Sequence, residues 1–182
     1  MFQFVFCRGL IVMIIEKVIG LLDSLCSKSG SAVKWLSVLM VVSVVAVVSA
    51  RLFGIGSIAT QELVTYLHAS LFMLGMSFAL KNDGHVRVDI FYRRLSCYGK
   101  AIINLAGTLI FLLPICAFIF FSSWDYVVAS WKIKETSSEA DGIAAVYLLK
   151  TLMLIMPISL ALQGISEALR GYLIIRGKQI DV

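Results

Sequence analysis

Charged residues and helix-breaking residues are scarce in this chain. Only 15% of the residues are charged, whereas 60% are hydrophobic and the mean hydropathy is +0.95. About a quarter of the residues in a typical soluble domain are charged, so this composition argues against a soluble globular protein. Both prolines, Pro114 and Pro157, lie inside apolar runs, and no repeat or linker divides the sequence. We therefore expect a single membrane domain over residues 1–182.

Histidine and cysteine are scarce as well, which limits the cofactors that the chain could hold. Of the two histidines, His68 lies in an apolar run and His85 lies outside it, so they form a poor bis-histidine haem site. The four cysteines show no C-x-x-C spacing, and we expect free thiols. We predict no metal and no other cofactor.

Long apolar runs are the main feature that is present. A spanning helix needs about 20 mostly apolar residues. Four runs of about this length occupy residues 33–53, 63–80, 101–124 and 143–166. Their backbone must be helical, because a lone strand would leave its polar groups unpaired in lipid. The sequence thus predicts an all-α integral membrane protein with four transmembrane helices.

The segment before the first run, residues 9–26, is apolar but charged. On a helix its polar residues form one stripe opposite the leucines: Glu16, Gly20, Asp23, Ser24 and Ser27. This pattern predicts an amphipathic helix in the membrane surface. A signal peptide is the alternative, but no A-x-A-like cleavage site follows and Glu16 and Lys17 interrupt the apolar core.

The distribution of lysine and arginine predicts the orientation in the membrane. With a cytoplasmic N-terminus, the cytoplasmic side holds Arg8, Lys17, Lys28, Lys34, Lys81, Arg87, Arg93, Arg94, Lys100, Arg170, Arg176 and Lys178. The opposite side holds only Arg51, Lys132, Lys134 and Lys150. By the positive-inside rule, both termini are cytoplasmic. The sequence pI of about 9.1 is then explained by topology and anionic lipid, and nucleic acid is not implied.

A charged stretch between the second and third runs, LKNDGHVRVDIFYRR (residues 80–94), is expected to be a cytoplasmic turn. Gly84 suits the end of the second helix, and Asp89 suits the N-cap of a short surface helix. Arg87 and Asp89 could pair with each other or with a partner chain. Acid–base catalysis by His85 and Asp89 is the alternative, but no third polar group or pocket is evident nearby. We therefore predict no enzyme.

Four segments of the chain carry a family resemblance. ALKNDGHVRVDIFYRRL resembles the G-x-H-[VI]-R-V-D signature of the small, DctQ-type membrane subunit of tripartite ATP-independent periplasmic (TRAP) transporters. RLFGIGSIATQELVTYL is similar to that family's entry to the second span. SWDYVVASWKIKETSSEA is similar to its third loop, and MPISLALQGISEALR to its last span. The resemblance covers about residues 34–170, most of the chain.

The resemblance implies a transport subunit in a bacterial inner membrane. It implies a scaffold for a larger M-type membrane subunit, which carries the sodium and substrate sites, and a periplasmic protein that delivers organic acids or similar small solutes. The motif residues that it singles out, as structural positions or partner contacts, are Arg51, Gln61, Glu62, Gly84, His85, Arg87, Asp89 and Pro157.

Single polar residues in the first two spans have structural interpretations. We expect Glu62 in the first turn of the second helix, capped by Thr60 and paired with Arg51; proton coupling is the alternative. His68 is expected to pack as a neutral imidazole bonded to a neighbouring helix, rather than to bind metal or haem.

The later spans are interpreted in the same way. Asn104, Thr108 and Gln163 are expected to form interhelical hydrogen bonds, and Lys150 to extend to the membrane surface. Trp124, Tyr126 and Trp131 suit an interfacial belt that could also face a binding protein. Pro114 and Pro157 are expected to bend their helices.

Two other function classes remain open from the residues alone. A membrane anchor of a respiratory enzyme would need the haem ligands discussed above. A small multidrug exporter would need a carboxylate in the first span, and residues 35–50 contain none.

Overall fold

The computed structural model describes residues 2–82, 84 and 95–177. In that part of the chain all regular structure is helical: α1 (Phe2–Leu52), α2 (Ile58–Lys81), α3 (Cys97–Gly107), a π-helical segment (Thr108–Leu112), α4 (Leu113–Ile133) and α5 (Val146–Ile175). Because α3, the π-helical segment and α4 follow one another without a break, together they form a single span, the third in chain order. Four helices are long and apolar enough to cross a membrane. The predicted all-α class with four spans is confirmed.

Helix α1 differs from the prediction in its continuity. Its 51 residues join the predicted surface helix (9–26) and the first predicted span (33–53) in one element. The connecting segment contains no proline, and its glycine serves close packing: a Cβ on Gly30 would lie 2.1 Å from Cδ2 of Phe78. At about 1.5 Å per residue, α1 is much longer than the roughly 30 Å hydrocarbon core. The surface location of residues 9–26 and the cytoplasmic termini stay predictions.

Part of the polar stripe of α1 faces the other helices. Asp23 and Ser27 turn toward α2 and α5 and bind side chains there. Leu21 and Leu25, on the predicted membrane side, are exposed. Polar groups of this stripe therefore stabilise contacts between helices.

Helix α5 is the central element of the bundle. It packs against α1, α2 and the third span, and α1 and α2 also pack against each other. Small residues allow the close approach: a Cβ on Gly164 would lie 2.4 Å from Cδ2 of Leu112, and one on Gly171 would lie 3.2 Å from the carbonyl oxygen of Ala101. The third span rests mainly on α5, which leaves much of its surface outside the bundle.

The third span contains a π-helical turn immediately before Pro114. The Leu113 N–H donates to the Thr108 carbonyl, five residues earlier, and Pro114 occupies the first turn of α4. Proline has no N–H and its ring crowds the preceding turn, so the wider turn accommodates it. The structure therefore shows a change of helix type next to Pro114, and the predicted bend itself stays a prediction.

Candidate functional site

A polar cluster joins α1, α2 and α5 near the N-terminal half of α1. We call it the Asp23 cluster, and its members are Asp23, Ser27, Lys81, Gln163, Ser166, Glu167 and Arg170. Four of these residues come from α5 at positions 163, 166, 167 and 170. This spacing puts them on one face of the helix.

Asp23 accepts hydrogen bonds from three side chains of α5. The Ser166 hydroxyl donates to Oδ1 at 2.9 Å, the Gln163 Nε2 lies 3.4 Å from the same oxygen, and Arg170 forms an ion pair with Oδ2. Ser166 and Gln163 are 0% and 1% exposed. These contacts give the Ser166 hydroxyl and the Gln163 amide nitrogen partners that offset their desolvation inside the bundle, whereas Oε1 of Gln163 is buried without a partner among the described residues. They confirm the predicted interhelical bonding of Gln163.

Lys81 connects α2 to the same cluster. Its Nζ donates to the Asp23 carbonyl at 2.9 Å and to the Ser27 hydroxyl at 2.5 Å. Arg170 also lies 3.3 Å from Glu167. Two carboxylates and two cations therefore compensate one another within the cluster, which suits a structural contact between helices better than an ion-binding site.

Sequence reasoning did not identify this cluster. It assigned Asp23 to a solvent-facing stripe and counted Arg170 only as a basic residue of the cytoplasmic side. A usable signal was present, because the four α5 positions are spaced by three, four and seven residues from Gln163 and so share one face of a mostly apolar helix. Their partner on α1 could not be read from that spacing.

At the opposite end of the bundle, Glu62 holds the loop that follows α4. The carboxylate accepts a hydrogen bond from the Ser137 hydroxyl and a 2.6 Å bond from the Ile143 N–H. A Cβ on Gly142 would lie 2.7 Å from Oε1 of Glu62, so glycine leaves room for this contact. Glu62 therefore joins α2 to both ends of the loop 134–145.

The predicted surroundings of Glu62 were wrong in two respects. Arg51 bonds to Oε1 of Gln61 at 2.9 Å, so it is not the partner of Glu62. The helix begins at Ile58 after Ser57, and Thr60 is inside its first turn, where its hydroxyl donates to the Ser57 carbonyl. Glu62 consequently lies beyond the first turn, and its partners come from a loop 75 and 81 residues away in sequence.

Lys150 fastens the same loop to α5. Its Nζ lies 2.5 Å from Glu135 Oε2 and 3.8 Å from the centre of the Tyr126 ring. The hydrogen bond from Lys150 is the main reason why the pKa of the Glu135 carboxyl is lowered. Lys150 thus extends toward the loop and pairs with an acid there. Glu62 and the Glu135–Lys150 pair together are called the loop clamp below.

Aromatic residues surround the loop clamp. The Trp131 indole N–H donates to the Thr151 hydroxyl at 2.9 Å, and the Trp131 and Tyr147 rings pack edge to face at 4.8 Å. Lys134 lies 4.4 Å from the Trp131 ring centre. This exposed aromatic group is compatible with the predicted interfacial belt.

The Asp23 cluster and the loop clamp are separated by about the thickness of a membrane core. Lys150 and Arg170 lie on the same helix, and their sequence separation corresponds to about 30 Å along its axis. The hydrocarbon core of a bilayer has about this thickness. The Asp23 cluster and the loop clamp therefore fit the two opposite membrane surfaces.

The other predicted site residues are distributed over the molecule. Gly84 donates its N–H to the Ala79 carbonyl at 2.8 Å, which closes the end of α2. Pro157 is fully buried inside α5. His85, Arg87 and Asp89 lie outside the described residues.

His68 contradicts its prediction. The side chain is exposed on α2, and it forms no hydrogen bond with another helix in the part of the chain that the structure describes. Sequence alone could not decide this, because polar and apolar residues occur on several sides of His68 and do not single out one face.

The prediction of free thiols is confirmed for the cysteines whose side chains the structure describes. Cys26, Cys97 and Cys116 are free cysteines.

Comparison with known proteins identifies the family. Residues 39–173 match the model of the DctQ component of tripartite ATP-independent periplasmic transporters. No curated protein sequence matches the chain. The matched range covers most of the sequence and includes both spans that supply the loop clamp and the α5 residues of the Asp23 cluster. The chain therefore belongs to the DctQ family, the small membrane subunits of TRAP transporters.

Proposed function

We propose that this chain is a non-catalytic membrane scaffold for the large, M-type subunit of a sodium-coupled TRAP transporter. In this role it holds the large subunit in the bacterial inner membrane, while a periplasmic binding protein delivers organic acids or similar small solutes. Sodium and substrate are bound by the large subunit. The family assignment supports the transporter class.

The observation that carries the scaffold role is the pairing of charges at both ends of the bundle. Asp23 is bound by Arg170, Ser166 and Gln163, Glu62 by two groups of the loop, and Glu135 by Lys150. A carrier coupled to an ion gradient needs ionisable or cation-binding groups at membrane depth that can change partner. Here these carboxylates are used to join helices and a loop.

A second observation supports a partner in the membrane. The third span packs mainly on α5, and large side chains such as Phe111, Phe118 and Phe121 point away from the bundle. Helices in membranes associate through packing and interhelical hydrogen bonds. An open bundle of this kind suits a subunit whose remaining surface contacts another membrane protein.

Reconstitution into proteoliposomes with an inward sodium gradient tests the proposal. This subunit alone, the large subunit alone, and both together are compared, with the binding protein and a radiolabelled organic acid outside. We expect accumulation only with both subunits. Accumulation by this chain alone would contradict the scaffold role, and full activity of the large subunit alone would make the chain dispensable.

A further inference from the structure

One face of α2 combines polar and aromatic side chains at membrane depth, and its middle part is exposed. Thr65, His68 and Phe72 are exposed along it, and Gln61 and Gly75 continue the same stripe at its two ends as half-buried residues. Both ends face α1: Gln61 accepts the bond from Arg51, and a Cβ on Gly75 would lie 3.5 Å from Cγ1 of Val33. The spacing of four, three, four and three residues is that of a seam between two packed helices. We call this surface the His68 stripe.

His68 lies well inside the hydrocarbon region. Along the axis of α2 it is about 9 Å from Glu62, in the loop clamp, and about 20 Å from Lys81, in the Asp23 cluster. The Thr65 hydroxyl donates to the Gln61 carbonyl of its own helix at 3.4 Å. The exposed His68 imidazole makes no such bond within the described ranges, so its ring nitrogens have no partner among those residues.

Lipid tails are a poor environment for this imidazole. An unpaired polar group in hydrocarbon loses hydrogen bonds that nothing replaces, and ionisable residues in spans usually face protein or a water-filled cavity. The exposed face of α1 is different: Val38, Val41, Val42 and Val45 there are all aliphatic. That face is suited to lipid, whereas the His68 stripe requires a partner with a hydrogen-bonding side chain.

We propose that the His68 stripe is the surface against which a helix of the large membrane subunit packs, with His68 hydrogen-bonded to a polar side chain of that helix. This inference rests on the proposed function and adds the location of the contact and the chemistry of the partner. The stripe meets Arg51 at its end, through the 2.9 Å bond to Gln61. The partner helix is therefore expected to carry an acid at that level.

A second copy of this chain is a poorer occupant. Two copies with the same orientation in one membrane, related by a twofold axis, would present the same residues to each other at the same depth. Arg51 would then approach Arg51 of the other copy, and like charges repel. A different chain with an acid at that position avoids this repulsion.

Photo-crosslinking of the assembled complex tests the contact. A benzophenone amino acid replaces Phe72 in the stripe or Val45 on the aliphatic face of α1, and each variant is co-expressed with its cognate large subunit. After irradiation, we expect an adduct of the two subunits from position 72 and little or none from position 45. An adduct from position 45 alone, or only lipid or self-adducts from position 72, would overturn the inference while leaving the proposed function intact.

Substitutions of His68 test the hydrogen bond separately. His68→Leu should lower co-purification of the large subunit about threefold to tenfold, the range for one interhelical hydrogen bond, and His68→Gln should restore most of it. Val45→Leu is the matched control and should have no effect. Monodispersity of each variant purified alone in detergent excludes a folding defect. Equal co-purification with Leu and Gln at position 68 contradicts the proposed bond, whereas failure of the wild-type chain to co-purify contradicts the proposed function itself.

Discussion

Asp23 and Arg170, 147 residues apart in the sequence, form an ion pair that joins α1 to α5. Ser166 and Gln163 bind the same carboxylate from the adjacent turns of α5. The first and last described helices are thereby fixed side by side, although nothing in the chain order requires it.

Removal of the Asp23 carboxylate should destabilise the chain. Asp23→Ala leaves Arg170 with Glu167 as its one carboxylate partner among the described residues, and leaves the buried Ser166 hydroxyl without its acceptor. Loss of one partner of a buried pair costs about 3–5 kcal/mol. Because the Asp23 and Arg170 side chains are partly exposed, we expect the free energy of unfolding to fall by about 1–3 kcal/mol. Thermal unfolding in detergent measures the change, with Ser24→Ala, an exposed neighbour, as the control.

An exchange of the charges at positions 23 and 170 tests whether the two side chains stabilise the protein by pairing directly with each other. The double variant Asp23→Arg with Arg170→Asp should recover part of the stability that either single variant loses. A double variant as unstable as the sum of the single ones would contradict a direct pair.

Loss of the Glu62 carboxylate should release the loop 134–145. In Glu62→Ala the Ile143 N–H and the Ser137 hydroxyl lose their acceptor. A hydrogen bond to a charged group contributes about 1.5–3 kcal/mol, so amide exchange at Ile143 should accelerate at least about tenfold. Glu139→Ala, at an exposed position of the same loop, serves as the control. Unchanged exchange at Ile143 would mean that the loop is held by other contacts.

The Glu135–Lys150 pair should make the loop sensitive to acid. Since the pKa of Glu135 is lowered in the folded state, the pair contributes fully above the ordinary carboxyl pKa. The contribution disappears as the pH falls through the lowered value. The difference in thermal midpoint between wild type and Glu135→Gln should thus be constant near neutral pH and shrink in acid. A difference that grows in acid would reverse the assigned sign.

The predicted topology is accessible to thiol labelling. Single cysteines at Ser57, Ser137 and Asn82, in a chain without other cysteines, are exposed to an impermeant thiol reagent in intact cells. The positive-inside rule predicts labelling at positions 57 and 137 only. Labelling at position 82 from outside would invert the orientation.

The motif residues Arg87 and Asp89 are expected to support assembly. Their replacement by alanine, one at a time, should lower co-purification with the large subunit, because an unpaired charge near lipid costs roughly 1–3 kcal/mol. Normal co-purification combined with loss of uptake would instead indicate a direct role in transport.

The amino-acid sequence by itself determined the class and the number of spans. Four long apolar runs leave no alternative to helices in lipid, even with one proline inside each of the last two, because only a helix satisfies its own backbone within one segment. The short motifs, such as QEL at positions 61–63, were sufficient to indicate the family. These features are local, and local patterns are what a sequence displays.

Only the tertiary structure decided which polar residues meet. Glu62 was expected to bind Arg51, but Arg51 binds Gln61 instead. The partners of Glu62 come from a loop more than seventy residues away in the sequence. His68 was expected inside the bundle and lies outside it. Both outcomes depend on how α2 is rotated against α5. The sequence pattern of α2 does not fix that rotation. The contacts that hold α2 in place, from Lys81 to Asp23 and Ser27 and from Glu62 to the loop 134–145, join residues distant in sequence.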